Sequence, residues 1–244
     1  MNPASTILVV AGIVLLAALV RSSLGFGDAV VAMPLLALVL DLKTAAPLVA
    51  FIGPTISLLI LAGHWRKADV KSASKLVVAS FVGIPVGVIG LARLPEGPLQ
   101  IALGLVILLY GIFGLWKPAA RLKNEKPAVP FLVGFGAGIL GGAYNTNGPP
   151  IVAYGVLKGW DPQKFRATLQ GYFLPTGLAI LAGHGAAGLW TRGIAELYAF
   201  SLPGLVIGVL AGGLLNKKLG QGRFNRTVYA TLVLMGIVLL AKSI

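Results

Sequence analysis

The stretch GGAYNTNGPP (141–150) places polar and helix-breaking residues between two apolar segments. Glycine lets a backbone turn tightly and approach a ligand, and proline at a helix start removes N–H groups that would be unpaired there. The N–H groups that remain, with the helix dipole behind them, attract an anion. The stretch therefore predicts an anion-binding turn. Its candidate ligands are Gly142, Asn145, Thr146, Asn147 and Gly148. The alternative is a tight hairpin turn whose polar groups only cap helix ends.

A second polar interruption, RSSLGFGD (21–28), offers similar groups nearer the N-terminus. It brings hydroxyls and flexible glycines ahead of an apolar segment that contains Met33-Pro34. Its candidate ligands are Ser22, Ser23, Gly25 and Gly27. If the two turns meet in the folded protein, they form one central site. The simple-turn alternative applies here as well.

Asp28 is the carboxylate that the sequence places deepest among apolar residues. Ionisable residues inside a membrane are costly and are functional candidates for that reason. Asp28 either carries a coupled proton or pairs with Arg21, and the sequence leaves both readings open. An unpaired carboxylate would repel an anion, so proton coupling requires Asp28 to be neutral while the substrate is bound.

Further candidates follow the second turn on the next apolar segment. Gln170 and Tyr172 complete the predicted substrate ligands, although Tyr172 has the alternative of packing between helices with its hydroxyl bonded to a neighbour. His64 and His184 stand at matching positions of LAGHW (61–65) and LAGHG (181–185), one in each half of the chain. An inverted arrangement of the halves would put them on opposite faces of the membrane, so we expect no shared metal and interpret both as interfacial histidines in turns. The sequence has no cysteine, no HExxH pattern and no P-loop, and we expect no catalytic residues and no cofactor.

Composition sets the class of protein. Hydrophobic residues make up 57% of the chain and charged residues 11%, with a mean hydropathy of +0.91. Soluble domains carry about 25% charged residues, so most of this surface must face a lipid bilayer. The fold class predicted is an all-α polytopic membrane protein. The net charge of +13 is read as topology-setting Lys and Arg in loops, with no nucleic-acid partner.

Apolar segments give the predicted membrane organisation. Full-length segments cover 45–63, 73–93, 97–116, 168–190, 192–215 and 223–242, while 5–40 and 130–157 are interrupted. The arms around the second interruption are predicted at about a dozen residues, too short for a ~30 Å core at 1.5 Å per residue. That stretch therefore predicts a hairpin that returns to the side it entered. Residues 5–40 form either such a hairpin or two full spans.

Basic residues predict the orientation. With both hairpins returning, fifteen of the twenty Lys and Arg residues collect on one side, which the positive-inside rule makes cytoplasmic. They are Arg66, Lys67, Lys71, Lys75, Lys117, Arg121, Lys123, Lys126, Lys158, Lys164, Arg166, Lys217, Lys218, Arg223 and Arg226. Both termini then lie outside a bacterial plasma (inner) membrane. Residues 5–20 lack a basic leader region and are interpreted as mature protein.

Short motifs recur in the same order in both halves. LAGHW (61–65) returns as LAGHG (181–185), and IPVGVIG (84–90) returns as LPGLVIG (202–208). We therefore predict a first transmembrane repeat at 1–116, a cytoplasmic linker at 117–129 and a second repeat at 130–244. Each repeat holds one broken hairpin and three crossing helices. An odd number of crossings makes the repeats inverted, as in many secondary transporters.

The glycine-rich break ahead of Pro34 and the GG…NGPP motif (141–150) resemble the sulfite exporter TauE/SafE family, and the resemblance spans essentially the whole chain. It implies a permease for a small sulfur-containing oxyanion such as sulfite or an organosulfonate. Together with the broken hairpins it predicts a secondary transporter with a midplane site between the two turns. A passive anion channel and a permease for a non-sulfur organic anion remain alternatives.

Oligomerisation is left open by the sequence. Glycine-rich faces such as GVIG (87–90) and GLVIGVLAGG (204–213) pack helices closely. They suit contacts within one protomer and contacts between two protomers of a homo-oligomer equally well.

Overall fold

A computed structural model describes the backbone of residues 3–62, 70–116, 126, 128–160, 162–218 and 221–243, and every regular element in those ranges is an α-helix. The fold class is thus confirmed as an all-α polytopic membrane protein. The helices are α1 (Pro3–Leu24), α2 (Asp28–Leu36), α3 (Leu42–Ala62), α4 (Val70–Arg93), α5 (Glu96–Trp116), α6 (Ala128–Tyr144), α7 (Gly148–Leu157), α8 (Pro162–Ala186), α9 (Arg192–Lys218) and α10 (Gln221–Ser243).

Five helices in the described part are long and apolar enough to cross a membrane. They contain the segments Ala4–Leu24, Leu42–Ile60, Ser74–Arg93, Glu96–Trp116 and Arg192–Leu215. Their outward side chains are apolar as well: Leu8, Val78 and Leu210 are each at least 60% exposed. Exposure of so much apolar surface to water would be unfavourable, whereas contact with lipid chains is favourable.

The two interrupted stretches each form a long helix followed by a short one. α1 has 22 residues and α2 only 9, while α6 has 17 and α7 only 10. The prediction of about a dozen residues in each arm around the second interruption was wrong for the first arm, because α6 continues through its glycines to Tyr144. The breaks themselves are narrower than predicted, at 25–27 and 145–147.

Left-handed backbone ends both long helices. Gly25 and Gly27 have φ of 87° and 101°, and Asn145 has φ of 57°. Glycine adopts this conformation without steric cost, and asparagine is among the side-chain residues that tolerate it best. The chain can therefore reverse within three residues, and α2 and α7 begin directly afterwards.

Contacts between helices fix their relative directions. In α9, Gly204 lies against Ala11 and Gly212 against Leu19, so α9 runs parallel to α1. In the other half, Gly134 lies against Leu76 and Gly142 against Ile84, so α6 runs parallel to α4 in the same way. The first helix of each half thus packs on the fourth helix of the other half.

One face of the bundle gathers the starts of α3 and α5 with the ends of α2, α4 and α10. Lys43 Nζ donates to the Ala92 carbonyl at 3.1 Å, the Leu42 N–H donates to Glu96 Oε1 at 3.2 Å, and Lys242 Nζ donates to the Leu38 carbonyl at 3.4 Å. We call this the first face.

The hairpins enter from opposite faces. Gly183, near the end of α8, lies against Val88, near the end of α4, so α8 ends at the first face. The next helix, α9, therefore starts at the first face. Because α1 runs parallel to α9, α1 starts there as well. α2 returns to that face at Leu38. α6 starts at the other face with its parallel neighbour α4, and α7 returns there before α8 begins. Within residues 5–40, α1 has the length of a full span, whereas the nine residues of α2 are too few to cross a ~30 Å core, so these residues do not form two full spans.

Glycine spacing explains the α4–α6 and α1–α9 contacts. Residues Gly134, Gly138 and Gly142 of α6 repeat every four positions against α4, and Gly204, Gly208 and Gly212 of α9 do so against α1. Small residues at this spacing let membrane helices approach backbone to backbone. Gly87 also packs inside the protomer, against Ile139. These glycines are therefore committed to contacts within one chain.

We predict that Gly138→Ala destabilises the protein, because the new Cβ would overlap the Ser80 backbone. The expected cost is about 1–3 kcal/mol, typical of overpacking. Gly136→Ala in the same helix is the control, since nothing lies within 4 Å of its Cβ position. Thermal unfolding in detergent should show a lower Tm for the first variant only. Equal Tm values would contradict this account of the α4–α6 contact.

Candidate functional site

The starts of the two short helices lie inside the protein. Gly27 precedes α2 and Asn147 precedes α7, and neither makes a side-chain capping bond to its helix. The residues around both starts are almost fully buried, since Asp28 is 6% exposed and Asn147 5%. Two sets of backbone N–H groups, each at the positive end of a helix, therefore point into the interior.

A buried ion pair marks the first start. Arg21 Nη1 donates to Asp28 Oδ2 at 2.6 Å, and Arg21 Nη2 donates to Ser57 Oγ at 2.5 Å. Both charged residues are buried, with 3% of Arg21 and 6% of Asp28 exposed. Asp28 also occupies the first turn of α2, where the helix dipole favours a negative charge. Of the two readings left open by the sequence, the structure displays the Arg21–Asp28 pair.

Phe173 connects the two helix starts. The Arg21 guanidinium carbon lies 5.0 Å from the centre of the Phe173 ring, a cation–π arrangement. The same ring approaches the other start, because a Cβ placed on Gly148 would lie 3.5 Å from Phe173 Cζ. Phe173 belongs to α8, which carries it between α1 and α7. Sequence reasoning missed this residue, since an aromatic side chain in an apolar helix gives no sign of what it contacts.

Neutral hydrogen bonds organise the second start. Asn147 Nδ2 donates to Thr176 Oγ1 at 3.1 Å, and Thr176 Oγ1 donates to the Tyr172 carbonyl at 2.7 Å. This links α7 to the middle of α8. Thr176 was not among the predicted ligands, although its i+4 relation to Tyr172 placed both on one face.

Some of the other residues of the second turn contact neighbouring helices, and one has a polar group without a hydrogen-bond partner among the described residues. Asn145 Nδ2 donates to the Ala46 carbonyl at 2.6 Å, which ties the turn to α3. Gly142 packs against the α4 backbone. Thr146 is fully buried, and its hydroxyl has no hydrogen-bond partner among the described residues. A buried unpaired hydroxyl costs free energy, so Thr146 offers a polar group that a ligand would satisfy.

The predicted hydroxyls of the first turn face a helix instead. Ser22 and Ser23 lie in the last turn of α1, and they donate to the carbonyls of Val209 and Leu19 at 2.7 Å each. Ser22 thereby joins α1 to α9. Gly25 and Gly27 form the reversal, as their positive φ values require. The side chain of Gln170 lies outside the described residues.

Tyr172 makes an interhelical bond. Its hydroxyl lies 2.7 Å from Ser80 Oγ, and Ser80 in turn donates to the Gly134 carbonyl at 2.7 Å. Since the single Ser80 proton is used on Gly134, the Tyr172 hydroxyl is the donor in the first bond. The chain of bonds joins α8, α4 and α6, which is the packing alternative considered for this residue.

His184 lies within α8 and is fully buried, so its interpretation as an interfacial turn residue was wrong. α8 continues two residues beyond His184, so the ring stays on the helix and lies against α6. Its Nε2 donates a hydrogen bond to the Gly142 carbonyl at 2.7 Å. His64 lies outside the described residues. Among those residues, no cluster of three His, Cys, Asp or Glu side chains has the arrangement of a metal site.

For Tyr172→Phe, we predict reduced stability with unchanged anion binding, because the hydroxyl is already engaged by Ser80 in the chain of bonds that joins α8, α4 and α6. The cost should be about 1 kcal/mol, as for a typical hydrogen bond. Thermal unfolding and anion titration of the same sample measure both quantities, with wild type as reference. A Tyr172→Phe protein of normal stability that no longer binds an anion would make Tyr172 a ligand.

Comparison with known proteins agrees with these features. Residues 10–239 match the sulfite exporter TauE/SafE family. A protein of Cupriavidus necator named "probable sulfite/organosulfonate exporter TauE" is 24% identical over 204 residues, which cover 82% of this chain and 80% of that protein. No solved structure matches the chain significantly. Because the match takes in nearly the whole chain, including both broken hairpins, this multi-pass membrane protein belongs to the sulfite exporter TauE/SafE family.

Proposed function

We propose that the protein is a secondary transporter for a small sulfur-containing anion, such as sulfite or an organosulfonate. The observation that carries the proposal is that two buried half-helix starts, each with polar side chains, lie on either side of one aromatic ring, that of Phe173. Gly148 of α7 and Arg21 beside α2 both contact the ring of Phe173. Half-helices that point their positive ends at a buried site are a recurring way of binding anionic substrates in transporters.

The chemistry of the two helix starts suits a ligand that must bind and then be released. Backbone N–H groups and neutral side chains such as Thr146 and Asn147 bind an anion by hydrogen bonds without a permanent excess of positive charge. The nearby Arg21 is already balanced by Asp28. Such a site holds an anion more weakly than a free arginine or lysine would, and weak binding permits release.

The sulfur-containing class of substrate is supported by family membership and by the relative's name. The Cupriavidus necator protein is described as a probable sulfite/organosulfonate exporter. Sulfite and sulfonate groups have three oxygens, which can accept hydrogen bonds from the backbone N–H groups of both helix starts. A permease for a non-sulfur organic anion is the alternative that a substrate screen decides.

We further propose alternating access by two inverted repeats, 1–116 and 130–244, joined by a cytoplasmic linker at 117–129. The opposite entry of the two hairpins supports inversion, and the exchanged pairing of α1 with α9 and of α4 with α6 supports duplication. Two similar halves around a common site provide two equivalent conformations, one open to each side.

The proposed orientation puts the first face, with both termini, outside the bacterial inner membrane. The absence of cysteine allows a direct test, since single introduced cysteines have no background. We predict that a membrane-impermeant maleimide labels Arg192→Cys in intact cells and labels Lys75→Cys only after lysis; both positions are exposed. The reversed labelling pattern would contradict the orientation, and equal labelling would contradict the helix directions.

The central prediction concerns Asn147→Ala. Wild type should be stabilised thermally by one of sulfite, thiosulfate, sulfoacetate or taurine, and not by matched carboxylates. Losing the Asn147 amide from the start of α7 should weaken that binding about tenfold or more, as expected for a hydrogen bond to a charged group. Thermal shift in detergent gives the affinity, and counterflow in proteoliposomes gives the flux.

Ser201→Ala is the matched control, because Ser201 is also buried but donates only to the Leu197 carbonyl of its own helix. Stabilisation preserved in Asn147→Ala would place the substrate elsewhere in the protein. A flux that neither saturates nor shows counterflow would identify a channel instead of a transporter.

A further inference from the structure

We propose that Arg21 is the charge partner of the transported anion. Until the Asp28 carboxylate is protonated, Asp28 forms the ion pair with Arg21 in place of the anion. Anion and proton then bind together and cross together. This inference rests on the proposed function and deepens it, since it assigns a specific ligand and a coupling ion to the same site.

The donor count of Arg21 is the first observation. A guanidinium has five N–H donors and needs partners for them when buried. Arg21 is 3% exposed, and its described bonds go to Asp28 and Ser57. Its Nε is buried and has no hydrogen-bond partner among the described residues. Arg21 therefore retains a buried donor, and arginine is the side chain best suited to bind the oxygens of an oxyanion in pairs.

Position is the second observation. The guanidinium lies on Phe173, and Phe173 lies against Gly148 at the start of α7. One aromatic ring thus separates Arg21 from the second half-helix. The unpartnered hydroxyl of Thr146 belongs to the turn that leads into α7. An anion that displaced the Phe173 ring would lie between the arginine and the positive end of this helix.

Charge balance is the reason to expect that a proton binds together with the anion. Arg21 and Asp28 are neutral as a pair, so a bound monoanion would add one uncompensated negative charge to a buried site. Such a charge is costly in a medium of low polarity. Adding a proton to the Asp28 carboxylate restores neutrality: Arg21 exchanges its bond to Asp28 for a bond to the anion, and Asp28 becomes a neutral carboxylic acid. Release reverses both steps and returns the proton.

Among the side chains that the structure describes, the other charged groups lie away from this pair. The helices that pack most extensively on α2 are α1, α3, α5 and α10. Their other described charged side chains near α2 are at the first face, where α2 ends: Lys43 bonds to Ala92, Glu96 to Leu42 and Lys242 to Leu38. On α8, Tyr172 is bonded to Ser80, and His184 is bonded to Gly142. Asp28 is thus the titratable carboxylate that faces Arg21.

The test uses methanesulfonate, whose charge stays constant across the pH range, so that any pH dependence belongs to the protein. Binding is measured by calorimetry on the full-length purified protein from pH 6 to pH 9, in buffers of different ionisation enthalpy, which reports protons taken up. We expect uptake of one proton per anion where Asp28 is ionised. The affinity should then fall about tenfold for each pH unit of increase.

Two variants separate the roles of the pair. Asp28→Asn keeps the shape and removes the charge, so it should bind methanesulfonate with no proton uptake and no pH dependence. Arg21→Gln combined with Asp28→Asn removes both charges and avoids a lone buried carboxylate; it should bind about tenfold to a hundredfold more weakly than Asp28→Asn. The exposed pair Arg192–Glu196, changed to Gln at both positions, is the control and should behave as wild type.

Flux in proteoliposomes provides a second readout. Wild type should carry methanesulfonate with a proton and respond little to an imposed membrane potential. Asp28→Asn should carry net charge and respond to voltage. Proton uptake that persists in Asp28→Asn, or equal affinity in the double variant and in Asp28→Asn, would overturn the inference while the transporter assignment stands. Absence of binding by wild type to every sulfur anion would overturn both.

Discussion

A helix that begins inside a membrane leaves backbone N–H groups where no water can reach them, and this constraint governs the whole arrangement. Such groups are tolerated only when protein encloses them or a ligand satisfies them. Here α2 and α7 begin at buried positions, and α1, α3 and α8 surround their first turns. The glycine faces of α6 and α9 let the neighbouring helices close around the hairpins.

Buried charge is the second constraint, and the same hairpin resolves it. Arg21 and Asp28 are seven residues apart in sequence, on either side of the 25–27 reversal, and the reversal brings them to 2.6 Å. Removing either partner would leave an isolated charge in an apolar interior. The local geometry of two glycines thus determines whether a permanent positive charge can be kept inside the membrane. The turn is therefore a structural device as well as a candidate site.

Sequence patterns predicted much of this organisation. Hydropathy located four of the five helices of the described residues that are long and apolar enough to cross a membrane, namely those containing Leu42–Ile60, Ser74–Arg93, Glu96–Trp116 and Arg192–Leu215; the predicted spans 168–190 and 223–242 are not among the five, and Ala4–Leu24 is. Glycine with polar residues located both breaks, because such breaks depend on local chemistry. The sequence did not predict where individual side chains point or where α6 ends. Ser22 and Ser23 bond to helix carbonyls, His184 reaches Gly142 within the core, and α6 is longer than expected. The contact of Arg21 with Phe173 joins residues from opposite halves of the chain, and no local pattern encodes such a pair.

The central claim is that one anion binds between the two helix starts. Its most direct test is a structure determined with 2-bromoethanesulfonate, using anomalous scattering to locate the bromine without reference to protein density. We predict a single peak beside Phe173, with the sulfonate oxygens within hydrogen-bond distance of Arg21 and of the first turn of α7. A peak elsewhere, for example in the apolar groove between α4 and α8 lined by Ile84 and Ala179, would contradict it.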